Sequence, residues 1–183
     1  MQIIPEGLAL QPTIISCDKE KEIISWLDSR SWSNTLSRRT QHYGFEYNYK
    51  SKNLLSGPKL EGPILEIAEI IKKAGLMDPD QCIVNEYYRN QGISPHIDSL
   101  IFGPVIIGVS ISCDGVMIFE RNQEKFECFL PQRSLIMLSG PARYEWKHSI
   151  DKKISYIDNY GNKITKSTDY RRISLTYRES LKK

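Results

Sequence analysis

The sequence predicts a mostly β protein with flanking N-terminal helices (α+β), folded as a double-stranded β-helix, or jelly roll. From residue 82 onward, short β-favouring runs follow one another, separated by Gly, Pro, Asp and Asn. Apolar residues at helical spacing mark the first third instead. Many short strands without intervening helices favour packed sheets or a jelly roll. The predicted strands are 82–88, 105–111, 116–120, 125–130, 134–138, 144–149, 154–157 and 172–177.

Two helices are predicted before the strands begin. Asp18 is a candidate N-cap for the first, which continues through residues 20–27. Pro63 suits the first turn of the second helix, and Gly75 suits its end. One apolar face of the second helix is expected to consist of Ile64, Ile67, Ile70 and Ile71.

Composition sets the broad class of the protein. The chain has 183 residues, 40% of them hydrophobic and 26% charged, and these values are ordinary for one globular domain over 1–183. A net charge of +3 neither requires nor excludes a nucleic-acid partner. The four cysteines, at positions 17, 82, 113 and 128, form no CxxC pair.

The same features lead to expectations about location. No signal peptide and no apolar stretch long enough to cross a bilayer are recognisable. We therefore expect a soluble monomer with reduced thiols and no membrane partner. The expected compartment is the cytoplasm, with the nucleus as the alternative in a eukaryotic host.

Two of the three histidines lie in a pattern that is typical of metal ligands. His96 and Asp98 are two residues apart, so an extended backbone points both side chains to one face. His148 lies near the end of a later predicted strand. Two histidines and one carboxylate form the facial triad of non-haem Fe(II) oxygenases. These residues alone leave two alternatives open: zinc as the metal, or a surface loop and a half-buried strand histidine that bind no metal.

The last predicted strand carries Arg172 and Arg178, whose even separation places both on one face. Ile173, Leu175 and Tyr177 line the other face, which is suited to packing under the N-terminal helices. An arginine face inside a jelly roll requires an anion, and a dicarboxylate such as 2-oxoglutarate matches guanidinium groups. The alternative is an edge strand with two solvated arginines.

These elements together resemble the AlkB family over residues 38–178. The family pattern is Asn-x-Tyr, His-x-Asp, a distant His and Arg-x5-Arg, which here correspond to Asn85 and Tyr87, then His96 and Asp98, then His148, and finally Arg172 and Arg178. The resemblance implies an Fe(II)-dependent dioxygenase that uses 2-oxoglutarate and O2. It implies that Arg172 and the Tyr87 hydroxyl bind the distal carboxylate of 2-oxoglutarate. It also places Arg178 and Asn85 near the keto-acid end.

Residues 37–60 resemble the substrate lid of the family. Mixed cationic and aromatic side chains suit a nucleic-acid backbone and a flipped base. The alternative is a surface hairpin whose aromatic residues pack inward. The candidate substrate-binding residues are Arg38, Arg39, His42, Tyr43, Phe45 and Tyr47.

The resemblance predicts oxidation of a modified nucleobase, by demethylation or hydroxylation, in single-stranded DNA or RNA, with tRNA included. Family members that repair methyladenine carry an acid two residues after the ligand Asp, where this chain has Leu100. The context of His96 is closer to the branch that hydroxylates wobble uridines in tRNA. Two alternatives remain: the same chemistry on a protein or lipid, and a metal-stabilised nucleic-acid-binding module without catalysis.

Overall fold

The computed structural model describes residues 3–48 and 53–181, with side chains outside 46–56. The helices of these residues are α1 (Cys17–Asp28), α2 (Gly62–Lys73) and α3 (Gly140–Tyr144). The strands are β1 (Leu8–Gln11), β2 (Arg39–Asn48), β3 (Asn53–Ser56), β4 (Gln81–Tyr88), β5 (Ile93–His96), β6 (Phe102–Ile111), β7 (Gly115–Arg121), β8 (Glu124–Leu130), β9 (Leu135–Leu138), β10 (Lys147–Ile150), β11 (Ser155–Ile157), β12 (Lys163–Thr165) and β13 (Arg171–Ser180).

Two antiparallel sheets form the jelly roll, which confirms the predicted fold class. The larger sheet has the order β1-β9-β6-β13-β4-β2-β3, and the smaller has the order β5-β10-β7-β8. A separate two-stranded hairpin is formed by β11 and β12. Phe102 and Ile136 of the larger sheet pack in one cluster with Phe119 and Leu130 of the smaller. The interior between the two sheets is therefore apolar at one end.

The outer face of the larger sheet packs against the two long helices. Ile23 and Leu27 of α1 and Ile67 of α2 share a buried cluster with Leu175 and Tyr177 of β13. The Tyr177 hydroxyl donates a hydrogen bond of 3.0 Å to the Ile64 carbonyl. The odd-numbered side chains of β13 thus face the helices, as predicted, and its even-numbered side chains face the interior.

Several element boundaries differ from the predictions. The N-cap of α1 is Ser16, not Asp18, because the Ser16 hydroxyl accepts from the Lys19 amide. Ile70 is 51% exposed and does not belong to the apolar face of α2. Residues 140–144 are helical, so the strand predicted at 144–149 begins only at Lys147. The first third also contains strands, which β-pairing with distant segments imposes.

A glutamate from α1 ties two turns of the sheets together. The Glu20 carboxylate is buried and accepts hydrogen bonds from the Ser112 amide, the Gln132 amide group and the Arg133 guanidinium. Ser112 and Arg133 have φ values of 75° and 67°, which residues other than glycine rarely adopt. Glu20 therefore stabilises two strained positions at once.

Among the described residues, no helix is long and apolar enough to cross a membrane.

Candidate metal centre

Strand pairing brings the three predicted metal ligands together. His96 of β5 and His148 of β10 are cross-strand partners, and their ring centroids lie 4.4 Å apart. Asp98 follows β5 by two residues, and its Oδ2 lies 3.8 Å from His148 Nε2. One ligand atom from each of the three residues falls within 4.8 Å of the others. This spacing is compact enough for all three to contact one ion.

The surroundings keep these side chains ready to bind a metal. The His96 Nδ1 lies 2.9 Å from the Ser94 carbonyl, which leaves Nε2 for an ion. Burial lowers the pKa of His148 to about 4, despite the opposing effect of Asp98, so the imidazole is neutral. Burial acts to raise the pKa of Asp98, but the charge of Arg178 holds it below its usual value. Neutral histidines and an ionised acid are what metal binding needs.

Arg143 of α3 holds the backbone beside the carboxylate ligand. It is fully buried, and its guanidinium donates to the carbonyl oxygens of Asp98 and Ser99 at 2.9 and 2.8 Å. Sequence reasoning did not single out this residue. An arginine five residues before the candidate ligand His148 is the sequence signal that could have identified it.

Arg172 lies inside the jelly roll, and no described carboxylate pairs with it. It is 1% exposed, and its one hydrogen bond, of 2.7 Å, goes from Nη2 to the Ser110 hydroxyl. Its Nε and Nη1 are buried and have no acceptor within the described part of the chain. Gly115 makes room for it, since a Cβ there would lie 2.7 Å from Arg172 Cδ. A buried cation with unused donors is the setting in which an anionic ligand binds.

The other predicted cosubstrate residues line a cavity between the two sheets, together with His96 and His148. Arg178 donates from Nη2 to Asp98 Oδ1 at 2.5 Å and from Nη1 to Gln81 Oε1 at 3.1 Å. Asn85 accepts a hydrogen bond of 2.7 Å from Arg38 Nε. The Tyr87 ring is buried, with Arg172 5.7 Å from its centroid. The cavity is lined by Asn85, Tyr87, His96, His148, Ser174 and Arg178, among others.

The comparisons with known proteins agree with this geometry. A family model described as the 2OG-Fe(II) oxygenase superfamily matches residues 21–178. The chain belongs to this superfamily. Its cofactor is Fe(II), its cosubstrates are 2-oxoglutarate and O2, and a His-Asp-His cluster is present among the described residues.

Individual relatives place the oxygenase in the AlkB family. "Alkylated DNA repair protein ALKBH8 homolog" of Arabidopsis thaliana is 30% identical, over 94% of this chain and 58% of that protein. "tRNA (carboxymethyluridine(34)-5-O)-methyltransferase alkbh8" of Xenopus tropicalis is 31% identical, over 96% of this chain and 32% of that protein. The chain thus spans about a third to somewhat more than half of these relatives.

A solved structure supports the fold assignment. The structure of OsALKBH1 superposes with a TM-score of 0.72 at 14% identity, covering 97% of the oxygenase and all of that chain. At this identity the match concerns the fold alone.

The predicted lid residues of the oxygenase fall on two sides of the larger sheet. Arg38 lines the cavity and also a wider groove at the mouth of the cavity. Ile97, Phe102 and Lys152 line this groove as well. His42 is half-buried and pairs across the sheet with Ile83, which lines the cavity. These two residues are therefore on the side of the metal ligands.

Arg39 and Tyr43 point the other way, because neighbouring residues of a strand alternate between faces. Arg39 forms an ion pair of 2.5 Å with the fully buried Glu86, which Arg171 contacts as well. Tyr43 packs in the helix-side core, where its hydroxyl donates to Gln41 Oε1 at 2.9 Å. For Tyr43, the inward-packed alternative describes the structure, and neither residue reaches the cavity.

The remaining two predicted lid residues are Phe45 and Tyr47. The carbonyl of Phe45 accepts a hydrogen bond from the Gln81 side chain, and its half-buried ring is not among the residues that line the cavity or the groove. Tyr47 lies outside the residues whose side chains are described.

Proposed function

We propose that this chain is an Fe(II)/2-oxoglutarate-dependent dioxygenase that oxidises a modified nucleobase in DNA or RNA. The observation that carries the proposal is the clustering of His96, Asp98 and His148 within reach of one ion, in a jelly roll whose interior also holds Arg172, a buried cation with unused donors. When bound, iron and 2-oxoglutarate would supply the activation of O2 and the oxidation of a substrate C–H bond, with succinate and CO2 as coproducts.

His96, Asp98 and His148 are the proposed iron ligands. The Asp98 Oδ2 supports this assignment, because it is buried and no hydrogen-bond donor among the described residues reaches it. A buried carboxylate oxygen without a donor is costly unless a cation binds it. Arg178 holds the other oxygen of Asp98 and so fixes which one faces the ion.

Arg172 is the proposed partner of the distal carboxylate of 2-oxoglutarate. Its free Nε and Nη1 supply two charge-assisted hydrogen bonds, and Ser110 fixes the third nitrogen. The Tyr87 hydroxyl is the proposed additional donor to this carboxylate. Arg178 and Asn85 are assigned to the keto-acid end, nearer to the metal ligands.

A nucleic-acid substrate is supported by the relatives and by the mouth of the cavity. The two relatives above carry names that refer to DNA repair and to a tRNA uridine. Arg38 and Lys152 place positive charge along the groove that leads to His96. We assign Arg38 and His42 to substrate contact and residues 37–60 to the lid, and we favour RNA, tRNA in particular, as the polymer.

The test has two stages on the same purified protein. Anaerobic addition of Fe(II) and 2-oxoglutarate should produce the weak visible charge-transfer band of the complex. Incubation with a mixed pool of alkylated DNA, RNA and tRNA should then deplete one modified nucleoside in mass spectra and release succinate. His148→Ala is the inactive control. A band without any nucleoside change, together with turnover of a peptide or lipid, would contradict the nucleobase assignment; no band in folded protein would contradict the oxygenase.

A further inference from the structure

A second cavity, of about 200 Å³, lies on the outer face of the smaller sheet, beneath the β11–β12 hairpin. Val116 and Ile118 of β7 form its floor, whereas Met117 between them lines the metal cavity on the opposite face. The two cavities are therefore separated by one strand. The second cavity plays no part in the chemistry described above.

Lys166 is the unusual residue of this second cavity. It is 7% exposed, and its ammonium lies 5.0 Å from the centroid of the Tyr170 ring. Within residues 3–48 and 53–181, this ammonium has no hydrogen bond and no carboxylate partner. Lysine is rarely buried to this extent unless it is paired. Burial lowers the pKa of Lys166, the charge of Arg172 lowers it further, and the charge of Asp151 opposes the shift.

Each of the two acids that line the cavity forms a salt bridge with another lysine. Glu127 pairs with Lys125 at 3.0 Å, and Asp151 pairs with Lys153 at 3.2 Å. Lys163, at the cavity rim, has no ion pair with any described residue. Lys163 and Lys166 therefore face the cavity as two cations that form no salt bridge with a described residue, beside the ring of Tyr170.

The segment that follows β10 connects this cavity to the metal centre. His148 lies within β10, Lys152 lines the groove at the metal, and Lys153 lines the second cavity. If one nucleotide of a nucleic-acid strand lies at the metal, the neighbouring nucleotides can pass Lys152 and Lys153 and reach the second cavity. The tip of the hairpin adds Tyr160, whose side chain is 90% exposed and free to stack on a base.

We propose that the second cavity is a phosphate site, in which Lys163 and Lys166 bind the backbone of the nucleic-acid strand whose modified base lies at the metal centre. The inference rests on the proposed function, because it identifies the substrate as a strand longer than one nucleotide. The ammonium groups donate to phosphate oxygens, and the tyrosine and aliphatic walls contact the adjoining sugar or base. Each neutralised phosphate adds about 0.7 to the salt dependence of binding to a single strand.

The test is the binding of a fluorescent single-stranded RNA to Lys166→Met and Lys163→Met, with Lys73→Met at the exposed end of α2 as the matched control. Each cavity variant should bind several-fold more weakly, and the slope of log affinity against log salt should fall by about 0.7. The control should match the wild type. All variants should retain the iron and 2-oxoglutarate charge-transfer band.

The outcomes separate this inference from the proposed function. Wild-type affinity and salt slope in both cavity variants would overturn the phosphate site, even if nucleosides are oxidised. Inorganic phosphate binding that is lost in Lys166→Met, with RNA binding unchanged, would mean that a small anion and not a strand occupies the cavity, which also overturns the proposal. RNA binding that depends on Lys166, without oxidation of any nucleoside, would leave this site standing and refute the nucleobase oxygenase. Lys163 is exposed, so its variant remains informative if Lys166→Met does not fold.

Discussion

Arg143 donates a 2.9 Å hydrogen bond to the backbone carbonyl of Asp98, and a second one to the carbonyl of the next residue. The guanidinium thereby fixes the chain on the C-terminal side of the His-x-Asp pair, although it contacts neither the proposed ion nor a substrate. Arg143 is a positioning residue.

Arg143→Ala should weaken Fe(II) binding by about tenfold or more, as loss of outer-shell support does at metal sites. It should also lower the free energy of unfolding by about 2 kcal/mol, since two buried carbonyl groups lose their donors. Arg143→Lys should recover part of the affinity, because lysine can reach one carbonyl. Anaerobic Fe(II) titration and denaturant unfolding measure the two effects, and an unchanged Fe(II) affinity in Arg143→Ala would refute the role.

Arg172 and Arg171 form a matched pair on opposite faces of β13. Arg172→Ala should raise the 2-oxoglutarate concentration needed for half-maximal succinate formation by roughly 10- to 100-fold, because charged hydrogen bonds contribute about 1.5–3 kcal/mol each. Arg171 pairs with Asp28 and Glu86, away from the cavity. Arg171→Ala should reduce stability and leave the cosubstrate requirement unchanged. Equal cosubstrate dependence in both variants would argue against the assignment of Arg172.

Arg38 and Arg39 provide the same comparison for the substrate. Arg38→Ala should reduce turnover of the nucleic acid several-fold, with normal 2-oxoglutarate binding by the charge-transfer band, because the side chain lines the groove. Arg39→Ala removes a partner of buried Glu86 and should act on stability instead. Steady-state kinetics and thermal unfolding of both variants measure these effects. A larger loss of turnover in Arg39→Ala than in Arg38→Ala would contradict the assignment of Arg38 to substrate contact.

Glu20 should be among the residues on which stability depends most. Glu20→Ala removes the acceptor of the Ser112 amide and of the Arg133 guanidinium. The two turns with positive φ at Ser112 and Arg133 thereby lose the hydrogen bonds that stabilise them. We expect a loss of about 2–4 kcal/mol in the free energy of unfolding, measured by urea titration. Glu22→Ala, on the exposed side of α1, is the control and should change stability by less than about 0.5 kcal/mol. Similar losses of unfolding free energy in the two variants would contradict this role of Glu20.

The pH dependence of stability should report on Glu86. Burial acts to raise the pKa of this carboxyl, but Arg39 and Arg171 together hold it below the ordinary value of 4.5. A lowered pKa in the folded state means that the unfolded chain takes up the proton first as pH falls. The stability advantage of the wild type over Glu86→Gln should therefore be complete above about pH 4.5 and should shrink below it. Unfolding of both proteins across this range tests the sign; a constant difference would contradict it.

Much of the fold followed from patterns that are local in the chain. The alternation along β13 predicted that Leu175 and Tyr177 would pack under the helices, and they do. A strand repeats every two residues, so this assignment needs no knowledge of what the strand pairs with. The N-cap of α1 and the strand predicted at 144–149 were wrong, because capping and helix ends depend on geometry that several residue types can satisfy.

The sequence by itself determined the residue types of the centre: two histidines, one acid and two arginines in an ordered pattern. Only the tertiary structure decided which of them meet. Pairing of β5 with β10 joined His96 to His148, and α3 brought Arg143 to the carbonyl of Asp98. Pairing of β2 with β4 also decided that Arg38, and not Arg39, faces the cavity, since register fixes which face of a strand is turned to the interior. Register and long-range contacts depend on all the strands together, so no single segment encodes them.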